Sequence, residues 1–275
     1  MTHQVIPEGL YVDVGDGHRL HYHDIGEGKP LIFLHGSGPG ASGWSNFHGN
    51  AERLAQRGFR CILPDILGYG YSSKPTDVDY GFERLGGGIR RLAEAIGIAD
   101  EPVALVGNSM GGALAIHLAL EHPDWVGRLV LMAPGGLEER EVYMQMRGIR
   151  RMLRCLYGPE GLTREGIAKV FELQLHGMEV SDAVLDQRYT LATQQPLHVF
   201  KTLRVPHLAP RLSELRMPVL GLWGVEDQFC PVSGAMTLAK AVEDCHVTLL
   251  SGCGHWVMVE RPEVFDRHCS QFLGG

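Results

Sequence analysis

The sequence has 275 residues, of which 44% are hydrophobic, and it carries a formal net charge of −7. A chain of this length forms one or two domains, and its apolar content is sufficient for a substantial core. The acidic balance does not favour nucleic-acid binding, no apolar run reaches the about 18 residues of a membrane span, and residues 1–5 lack the features of a secretory signal.

The N-terminal part of the chain predicts an antiparallel hairpin at the edge of a sheet. Residues 10–14 and 19–23 alternate between apolar and polar side chains, and Gly15-Asp16-Gly17 forms a turn signal between them. His21 and His23 share one face of the second run, but no third metal ligand is evident nearby. Structural or surface histidines are therefore favoured here over a metal site.

Six continuous apolar runs then alternate with helical patterns. Unbroken apolar strands between helices are typical of an α/β fold with a mostly parallel sheet that helices cover on both faces. In such a fold the functional loops lie at the carboxyl edge of the sheet. The runs are residues 30–35, 61–65, 103–106, 129–132, 219–223 and 247–250.

Two segments interrupt this alternation. Gly86-Gly87-Gly88 lies inside a helical pattern that it should weaken, and it has no evident function. Residues 135–210, called here the helical insertion, contain no clear strand and several helical patterns. An insertion of this kind predicts a lid over an active site, and additional structural helices are the alternative. The predicted domains are therefore a core of residues 1–134 and 211–275, with a lid of residues 135–210.

The most informative motif is Gly107-Asn108-Ser109-Met110-Gly111, which follows an apolar run and precedes a helical pattern. A serine between two glycines at a strand-to-helix turn is typical of a nucleophile elbow. The backbone N–H of Met110 would then stabilise an oxyanion. A chance match to a short motif is the alternative, and the strand and helix patterns on either side argue against it.

Two later loops supply the partners that a nucleophilic serine needs. In this type of fold the acid and then the histidine follow the serine along the chain. Asp227 comes after one apolar run and His255 comes after the next. We therefore assign Ser109 as the nucleophile, His255 as the general base and acid, and Asp227 as the orienting carboxylate, with Glu226 as the competing acid.

The loop of residues 35–41 is rich in glycine and is predicted to supply the second oxyanion donor, the backbone N–H of Ser37. A phosphate or dinucleotide site is not favoured, because the glycine spacing lacks the full fingerprint and no lysine follows.

The cysteines are scattered along the chain without a Cys-x-x-Cys pair or a zinc-like spacing. Together with the expected lack of a secretory signal, they predict reduced thiols, a cytoplasmic location and no metal site. They are Cys61, Cys155, Cys230, Cys245, Cys253 and Cys269.

The chain resembles the α/β-hydrolases, and within that superfamily the meta-cleavage product hydrolases, which cut carbon–carbon bonds in ring-opened catechols. The resemblance covers essentially the whole chain, most strongly outside the helical insertion. It implies an α/β-hydrolase fold with a helical lid, and it favours Asp227 over Glu226. The matching segments are His35-Gly36-Ser37-Gly38-Pro39-Gly40-Ala41, Gly43-Trp44-Ser45-Asn46, Gly107-Asn108-Ser109-Met110-Gly111-Gly112, Trp223-Gly224 through Asp227-Gln228-Phe229, and Cys253-Gly254-His255-Trp256.

Arg188 matches the lid arginine that binds the carboxylate of the substrate in this family, and a guanidinium can hold a carboxylate with two hydrogen bonds. A surface ion pair of Arg188 with Asp182 or Asp186 is the alternative. Asn108 and Trp256 resemble the side chains that flank the carboxylate and the 2-oxo group.

The resemblance implies further substrate contacts. Ser37 resembles a polar neighbour of the reacting carbonyl, and Gly38 lies in the same loop. Phe171, Phe229 and Cys230 match positions that line the pocket for the other end of the substrate, with a core role as the alternative for Phe171.

The implied activity is hydrolysis of a 2-hydroxy-6-oxohexa-2,4-dienoate type compound in the degradation of aromatic compounds. After enol–keto tautomerisation, cleavage would give 2-hydroxypenta-2,4-dienoate and a carboxylic acid. The implied reaction needs no metal and no organic cofactor. A carboxylesterase or lactonase with the same triad is the main alternative, and a non-catalytic ligand receptor on a hydrolase scaffold is a second. The expected partners are a small anionic dienoate and further copies of this chain in a homo-oligomer. The C6 substituent is left open.

Overall fold

A computed structural model describes residues 6–274. Residues 1–5, on which the expectation about a secretory signal rests, lie outside the described residues, as does residue 275. Within the described part, no helix is long and apolar enough to cross a membrane.

The strands are β1 (Leu10–Asp13), β2 (Arg19–Ile25), β3 (Lys29–Leu34), β4 (Phe59–Pro64), β5 (Val103–Asn108), β6 (Val126–Met132), β7 (Val219–Gly224) and β8 (Cys245–Leu250). The helices are α1 (Gly43–Ala55), α2 (Phe82–Ala95), α3 (Met110–Glu121), α4 (Arg140–Gln145), α5 (Arg147–Tyr157), α6 (Arg164–Gln174), α7 (Asp182–Thr193), α8 (Leu197–Thr202), α9 (Ser233–Ala241), α10 (Val257–Glu260) and α11 (Pro262–Gly274), with a 3-10 helix at Ala209–Glu214.

The strands form one eight-stranded sheet in the order β1-β2-β4-β3-β5-β6-β7-β8. β2 pairs antiparallel with β1 and with β4, and every other neighbouring pair is parallel. The predicted edge hairpin and the mostly parallel sheet are therefore confirmed.

Alternate side chains of the central strands enter two separate cores. Ile32 and Leu34 of β3 pack in a cluster with residues of α2, α3 and α9. Leu31 and Phe33 of the same strand pack in a second cluster with residues of α1 and α11. Burial on both faces explains why these strands are apolar along their whole length.

The last strand departs from that pattern. β8 lies at the edge of the sheet, and most of its side chains are only partly buried. Leu249 is 49% exposed. The central strands are therefore covered on both faces as expected, whereas β8, at the edge of the sheet, is covered less completely.

The glycine run lies in a continuous helix. α2 passes through Gly86-Gly87-Gly88 without a break. A Cβ atom at Gly86 would lie 3.1 Å from Leu118 Cδ2 of α3. Absence of a side chain at this position lets α2 pack closely against α3, so the packing compensates for the low helix propensity.

The helical insertion contains α4 to α8 and no strand, as its sequence pattern predicts. Hydrogen bonds connect it to loops at the carboxyl edge of the sheet. The N–H of Gly148 donates to the carbonyl of Gln228 at 2.7 Å, and the carbonyl of Gln174 accepts from the N–H of His255 at 2.9 Å. The insertion therefore packs against the loops that carry the candidate catalytic residues.

Candidate active site

Ser109 lies at the sharp turn between β5 and α3, with φ 57° and ψ −120°. Such a backbone conformation is strained for a residue with a side chain and is found mostly where function requires it. A Cβ atom at Gly111 would lie 1.9 Å from the carbonyl oxygen of Leu34, so only glycine fits there. Met110 is the first residue of α3, and its N–H therefore has no acceptor within the helix.

His255 and Asp227 meet because they follow the neighbouring parallel strands β8 and β7. The Nδ1 atom of His255 lies 2.7 Å from Oδ2 of Asp227, and both side chains are buried. The other carboxylate oxygen of Asp227 accepts the N–H groups of Phe229 at 2.7 Å and Cys230 at 3.0 Å. Asp227 is thus held in place, and a proton on Nδ1 leaves Nε2 of His255 as the basic atom.

Glu226 has a different contact. Its carboxylate accepts the N–H of Cys253 at 3.1 Å. The carboxylate that contacts the histidine ring is that of Asp227. The geometry therefore favours Asp227 over Glu226, in agreement with the resemblance.

Ser109 and His255 line the same cleft, which we call the active-site cleft and which has an empty volume of ≈ 380 Å³. Among residues 6–274, no hydrogen bond joins the serine hydroxyl to the His255 ring. The hydroxyl lies close enough to the Cys230 thiol to affect the pKa of that thiol. Burial and the negative charge of Asp227 raise the pKa of this thiol well above its ordinary value, and the Ser109 contact opposes that shift. Hydroxyl groups rotate freely, and catalytic hydrogen bonds often tighten only when substrate binds.

Two residues that the resemblance assigns to the pocket for the other end of the substrate lie beside Ser109 and His255. Cys230 lies near enough to Ser109 for the hydroxyl to lower the pKa of its thiol. The ring of Phe229 stacks on the imidazole of His255, with ring centroids 5.0 Å apart and an interplanar angle of 24°. Phe229 also lines the cleft, where the resemblance places a substrate contact.

The glycine-rich loop passes directly over the nucleophile. A Cβ atom at Gly36 would lie 3.3 Å from the Cβ atom of Ser109. His35 fixes this loop, since its Nδ1 donates to the carbonyl of Gly36 at 2.8 Å and its Nε2 accepts the N–H of Ile66 at 3.0 Å. Complete burial lowers the pKa of His35 to about 4, which keeps the ring neutral at pH 7. Ser37 lines the cleft beside Ser109.

Arg188 of α7 is buried, with 4% of its surface exposed. Its Nε donates to the carbonyl of Pro39 at 2.8 Å, and one Nη donates to the hydroxyl of Ser45 at 3.1 Å. Burial lowers the pKa of Arg188 to about 9, so the guanidinium still carries its charge at pH 7. Within the described residues, no carboxylate lies within 4.0 Å of this cation.

The alternative for Arg188, a surface ion pair with Asp182 or Asp186, is wrong. Both aspartates pair with Arg164 of α6, at 2.6 Å and 2.5 Å. Arg188 lies on α7, like the two aspartates, but its side chain points toward the core and not toward solvent. α7 therefore presents its acids to Arg164 and its arginine to the active-site cleft.

Phe171 is buried and does not belong to the lining of the active-site cleft, which agrees with the core role given as its alternative. Its ring contacts the ring of Trp256 edge to face at 5.5 Å, and the Arg188 guanidinium lies 5.5 Å from the centroid of each ring. Trp256 lines the cleft beside Arg188. Phe171 therefore packs behind the guanidinium, because α6 turns its apolar face toward Arg188 and Trp256.

Asn108 connects the elbow to the histidine loop. Its Nδ2 donates to the carbonyl groups of Met132 and His255, each at 3.2 Å. Its Oδ1 is buried in the cleft lining without a partner in the described part of the chain. The atom that Asn108 can offer a ligand is thus an acceptor.

Sequence reasoning missed several residues of the site. Asn46 lines the cleft, and its Oδ1 lies 3.5 Å from an Nη atom of Arg188. Its Nδ2 is buried with no partner in the described residues, so it can donate to a ligand. Asn46 lies in one of the matching segments, which was the only signal for it. The cleft is also lined by Ile149 and Met152 of α5 and Val170 of α6. The sequence does not single them out, because several apolar positions in these helices have the same spacing.

A larger cleft of ≈ 1540 Å³ lies on the other side of Asn46 and Trp256, between α1 and α7. It contains none of Ser109, His255 and Asp227, so we place the chemistry in the smaller cleft.

The remaining histidines and cysteines that the sequence singled out have structural contacts. Nδ1 of His21 lies 2.8 Å from Oδ2 of Asp65, and Nε2 of His23 lies 3.1 Å from the carbonyl oxygen of Pro7. In the part of the chain that the structure describes, no group of three or more His, Cys, Asp or Glu residues is arranged to hold a metal ion. All the cysteines are free thiols.

The chain matches the alpha/beta hydrolase family over residues 31–267. A 2-hydroxy-6-oxo-6-phenylhexa-2,4-dienoate hydrolase from Comamonas testosteroni is 34% identical, over 92% of this chain and 91% of that protein. A 2-hydroxy-6-oxononadienedioate/2-hydroxy-6-oxononatrienedioate hydrolase from Paraburkholderia xenovorans (strain LB400) is 38% identical, over 94% of this chain and 92% of that protein.

Solved structures show the same likeness. A meta-cleavage product hydrolase from Pseudomonas fluorescens IP01 superimposes with a TM-score of 0.84 and 27% identity, over 97% of each chain. A serine hydrolase involved in carbazole degradation superimposes with a TM-score of 0.82 and 28% identity, over 97% of this chain and 98% of that one.

Proposed function

The chain belongs to the alpha/beta hydrolase family and, within it, to the meta-cleavage product hydrolases, and we propose that it hydrolyses a carbon–carbon bond of a 2-hydroxy-6-oxohexa-2,4-dienoate. Ser109, His255 and Asp227 are the proposed catalytic triad. The products are 2-hydroxypenta-2,4-dienoate and a carboxylic acid that carries the C6 substituent.

The observation that carries this proposal is the buried guanidinium of Arg188 beside the triad. A buried cation without an acidic partner is costly, and a bound carboxylate would compensate that cost. A Cβ atom at Gly38 would lie 2.9 Å from an Nη atom of Arg188, so this arm of the guanidinium lies along the oxyanion loop. A dienoate presents a carboxylate several carbons from its reacting ketone, whereas a simple ester presents none.

The first step is binding and tautomerisation. Arg188 holds the substrate carboxylate, the Nδ2 of Asn46 is available to donate to it, and the Oδ1 of Asn108 accepts the 2-hydroxyl of the dienol. The 2-hydroxyl then loses its proton and C5 gains one, which gives the 2,6-dioxo form. Negative charge at the carboxylate end grows during this step, and the guanidinium stabilises it.

The second step is attack by Ser109 on the C6 ketone. Nε2 of His255 takes the hydroxyl proton, and Asp227 stabilises the imidazolium that forms. The N–H groups of Met110 and Ser37 hold the oxyanion. The C5–C6 bond then breaks with its electron pair moving to the dienolate, the proton from His255 completes the leaving group, and C6 remains on Ser109 as an ester.

In the third step water cleaves the acyl-enzyme. His255 removes a proton from water, the resulting hydroxide attacks the ester, and the proton returns to the Ser109 oxygen as the carboxylic acid leaves. Water is the only co-reactant, so the residues of this chain suffice for the whole cycle.

We also propose that the helical insertion is a lid. It supplies Arg188 and the apolar residues Ile149, Met152 and Val170 to the cleft. Residues of the insertion thus cover both the proposed carboxylate end and the catalytic centre, where exclusion of water strengthens charge interactions.

The test compares two substrates. Purified protein is mixed with a 6-alkyl or 6-aryl dienoate, whose yellow colour fades on cleavage, and separately with an aryl ester of similar size that lacks a carboxylate. The proposal predicts a higher kcat/KM for the dienoate and formation of pentadienoate and acid in equal amounts. Preference for the ester, or loss of colour without the acid, would instead indicate an esterase or a tautomerase.

A further inference from the structure

Glu260 is a buried carboxylate at the end of α10, and it holds the loop that carries His255. One of its oxygens accepts the N–H of Gly254 at 2.8 Å, and the other accepts the N–H of Trp256 at 3.2 Å. Only 5% of its surface is exposed. The residues on both sides of His255 are therefore fixed by one side chain.

The N–H of His255 itself is also engaged. It donates to the carbonyl of Gln174 at the end of α6, at 2.9 Å. Three consecutive N–H groups of the histidine loop thus have acceptors, two on Glu260 and one on the helical insertion.

Glu260 contacts the helical insertion as well. The oxygen that accepts from Gly254 also accepts the N–H of His176, at 2.8 Å. A Cβ atom at Gly254 would lie 2.8 Å from the carbonyl oxygen of Gln174 and 3.1 Å from an oxygen of Glu260. Close packing therefore joins the histidine loop, the Glu260 carboxylate and the segment after α6, and it leaves no room for a side chain at residue 254.

The chemistry of these contacts requires a carboxylate. Among the described residues, no cation lies within 4.0 Å of the Glu260 carboxylate, and the partners of this carboxylate are the three backbone N–H groups of Gly254, Trp256 and His176. An ionised carboxylate accepts at both oxygens, whereas a glutamine of the same shape has one acceptor oxygen and places an NH2 group against an N–H.

We propose that Glu260 is a positioning residue that couples the placement of the helical insertion to the position of the His255 ring. When the segment after α6 lies against Glu260 and the histidine loop, Nε2 of His255 is held in the position from which it takes the proton of the Ser109 hydroxyl. When that segment moves away, the loop loses hydrogen bonds at His255 and at Glu260 together. This inference rests on the proposed role of His255 as general base.

The test uses Glu260→Gln with Asp266→Asn as the matched control. Asp266 is an equally buried carboxylate on α11, but it pairs with Arg53 and Asn50, away from the histidine loop. Misplacement of a catalytic group by about 1 Å costs about one hundredfold in rate. We expect kcat of Glu260→Gln to fall by about tenfold to one hundredfold, with KM for the dienoate within about threefold, and kcat of Asp266→Asn to stay within about twofold.

Two further readouts separate positioning from general stability. The downfield NMR signal of the His255 Nδ1 proton should broaden or shift in Glu260→Gln and stay unchanged in Asp266→Asn. Hydrogen exchange at residues 174–176 should accelerate in the first variant only. An unchanged kcat with an unchanged proton signal would overturn the proposal, as would a loss confined to KM.

A second variant covers the case in which Glu260→Gln does not fold. His176→Pro removes the N–H on the insertion side and the exposed imidazole, and it places the proline ring where the amide hydrogen met Glu260. The preceding residue Leu175, at φ −108° and ψ 137°, already has a conformation that tolerates a following proline. We expect its kcat to fall several-fold at a similar KM, and an unchanged kcat would refute the coupling.

The same variants are also measured with the aryl ester, which needs His255 but not Arg188. If the wild-type protein does not cleave the dienoate, the proposed function fails, while the ester rates and the proton signal still decide the role of Glu260.

Discussion

Replacement of Arg188 by methionine separates carboxylate recognition from acyl transfer. Methionine has a similar length, no charge and a flexible apolar side chain. Removal of one partner of a buried charge pair costs about 3–5 kcal/mol, and about 1.4 kcal/mol corresponds to a factor of ten. We therefore expect kcat/KM for the dienoate to fall by about one hundredfold to several thousandfold.

The effect on folding should be small. The variant loses hydrogen bonds to the carbonyl of Pro39 and the hydroxyl of Ser45, at about 1–3 kcal/mol for each partner left unsatisfied. It also removes the cost of keeping a cation in the protein interior, and replacement of buried charges by apolar residues is often neutral or stabilising. The two effects oppose each other, so we expect the free energy of unfolding in urea to change by less than about 2 kcal/mol.

The assay follows the loss of dienoate absorbance in a stopped-flow instrument and the release of phenol from an aryl ester. Arg164→Met is the control. Arg164 lies at the surface on α6 and pairs with Asp182 and Asp186 of α7, the helix that carries Arg188. We expect Arg188→Met to lose dienoate activity and keep ester activity within about threefold, and Arg164→Met to change neither. Equal losses on both substrates, or no loss on the dienoate, would refute the assignment of Arg188.

Two more predictions concern the triad and pH. Asp227→Asn should lower kcat by about 10⁴ on both substrates, because the histidine loses the partner that fixes its tautomer. Glu226→Gln should lower kcat by less than about tenfold, since the Glu226 carboxylate accepts the N–H of Cys253 and the histidine ring contacts Asp227. Equal losses of kcat in the two variants would contradict the choice of Asp227. Burial lowers the pKa of Arg188 to about 9, so its charge is lost as the pH rises through that value. In a pH–rate profile, kcat/KM for the dienoate should fall above about pH 9 while that for the ester does not, and identical alkaline limbs would exclude Arg188 as the cause.

Features that depend on local patterns could be predicted from the sequence. The hairpin, the parallel strands and the elbow at Ser109 each leave a short-range signal, either an alternation, an apolar run or a strand followed by glycines and a helix. Their partners in space then follow, because the carboxyl ends of neighbouring parallel strands meet at one edge. The order of Ser109, Asp227 and His255 along the chain was therefore informative.

Features that depend on tertiary packing could not be predicted. Adjacent carboxylates at 226 and 227 look alike in sequence, and only the fold directs Asp227 toward His255. The apolar positions of α6 do not reveal which of them meets Arg188, so the sequence leaves open whether Phe171 lines the pocket or belongs to the core. Glu260 carries no sequence signal, because its partners are backbone N–H groups.

The edge position of β8 has the same origin. Its apolar run resembles those of the central strands, and its exposure follows only from the order of strands in the sheet. Likewise, Gly86 is compatible with a helix only because Leu118 of the next helix packs against it.

The most direct test is a crystal structure of Ser109→Ala with a dienoate bound. We expect the substrate carboxylate at hydrogen-bond distance from an Nη atom of Arg188, and its C6 within about 3.5 Å of the position that the serine oxygen would occupy. A substrate bound with its carboxylate away from Arg188, or with C6 out of reach of residue 109, would contradict the account.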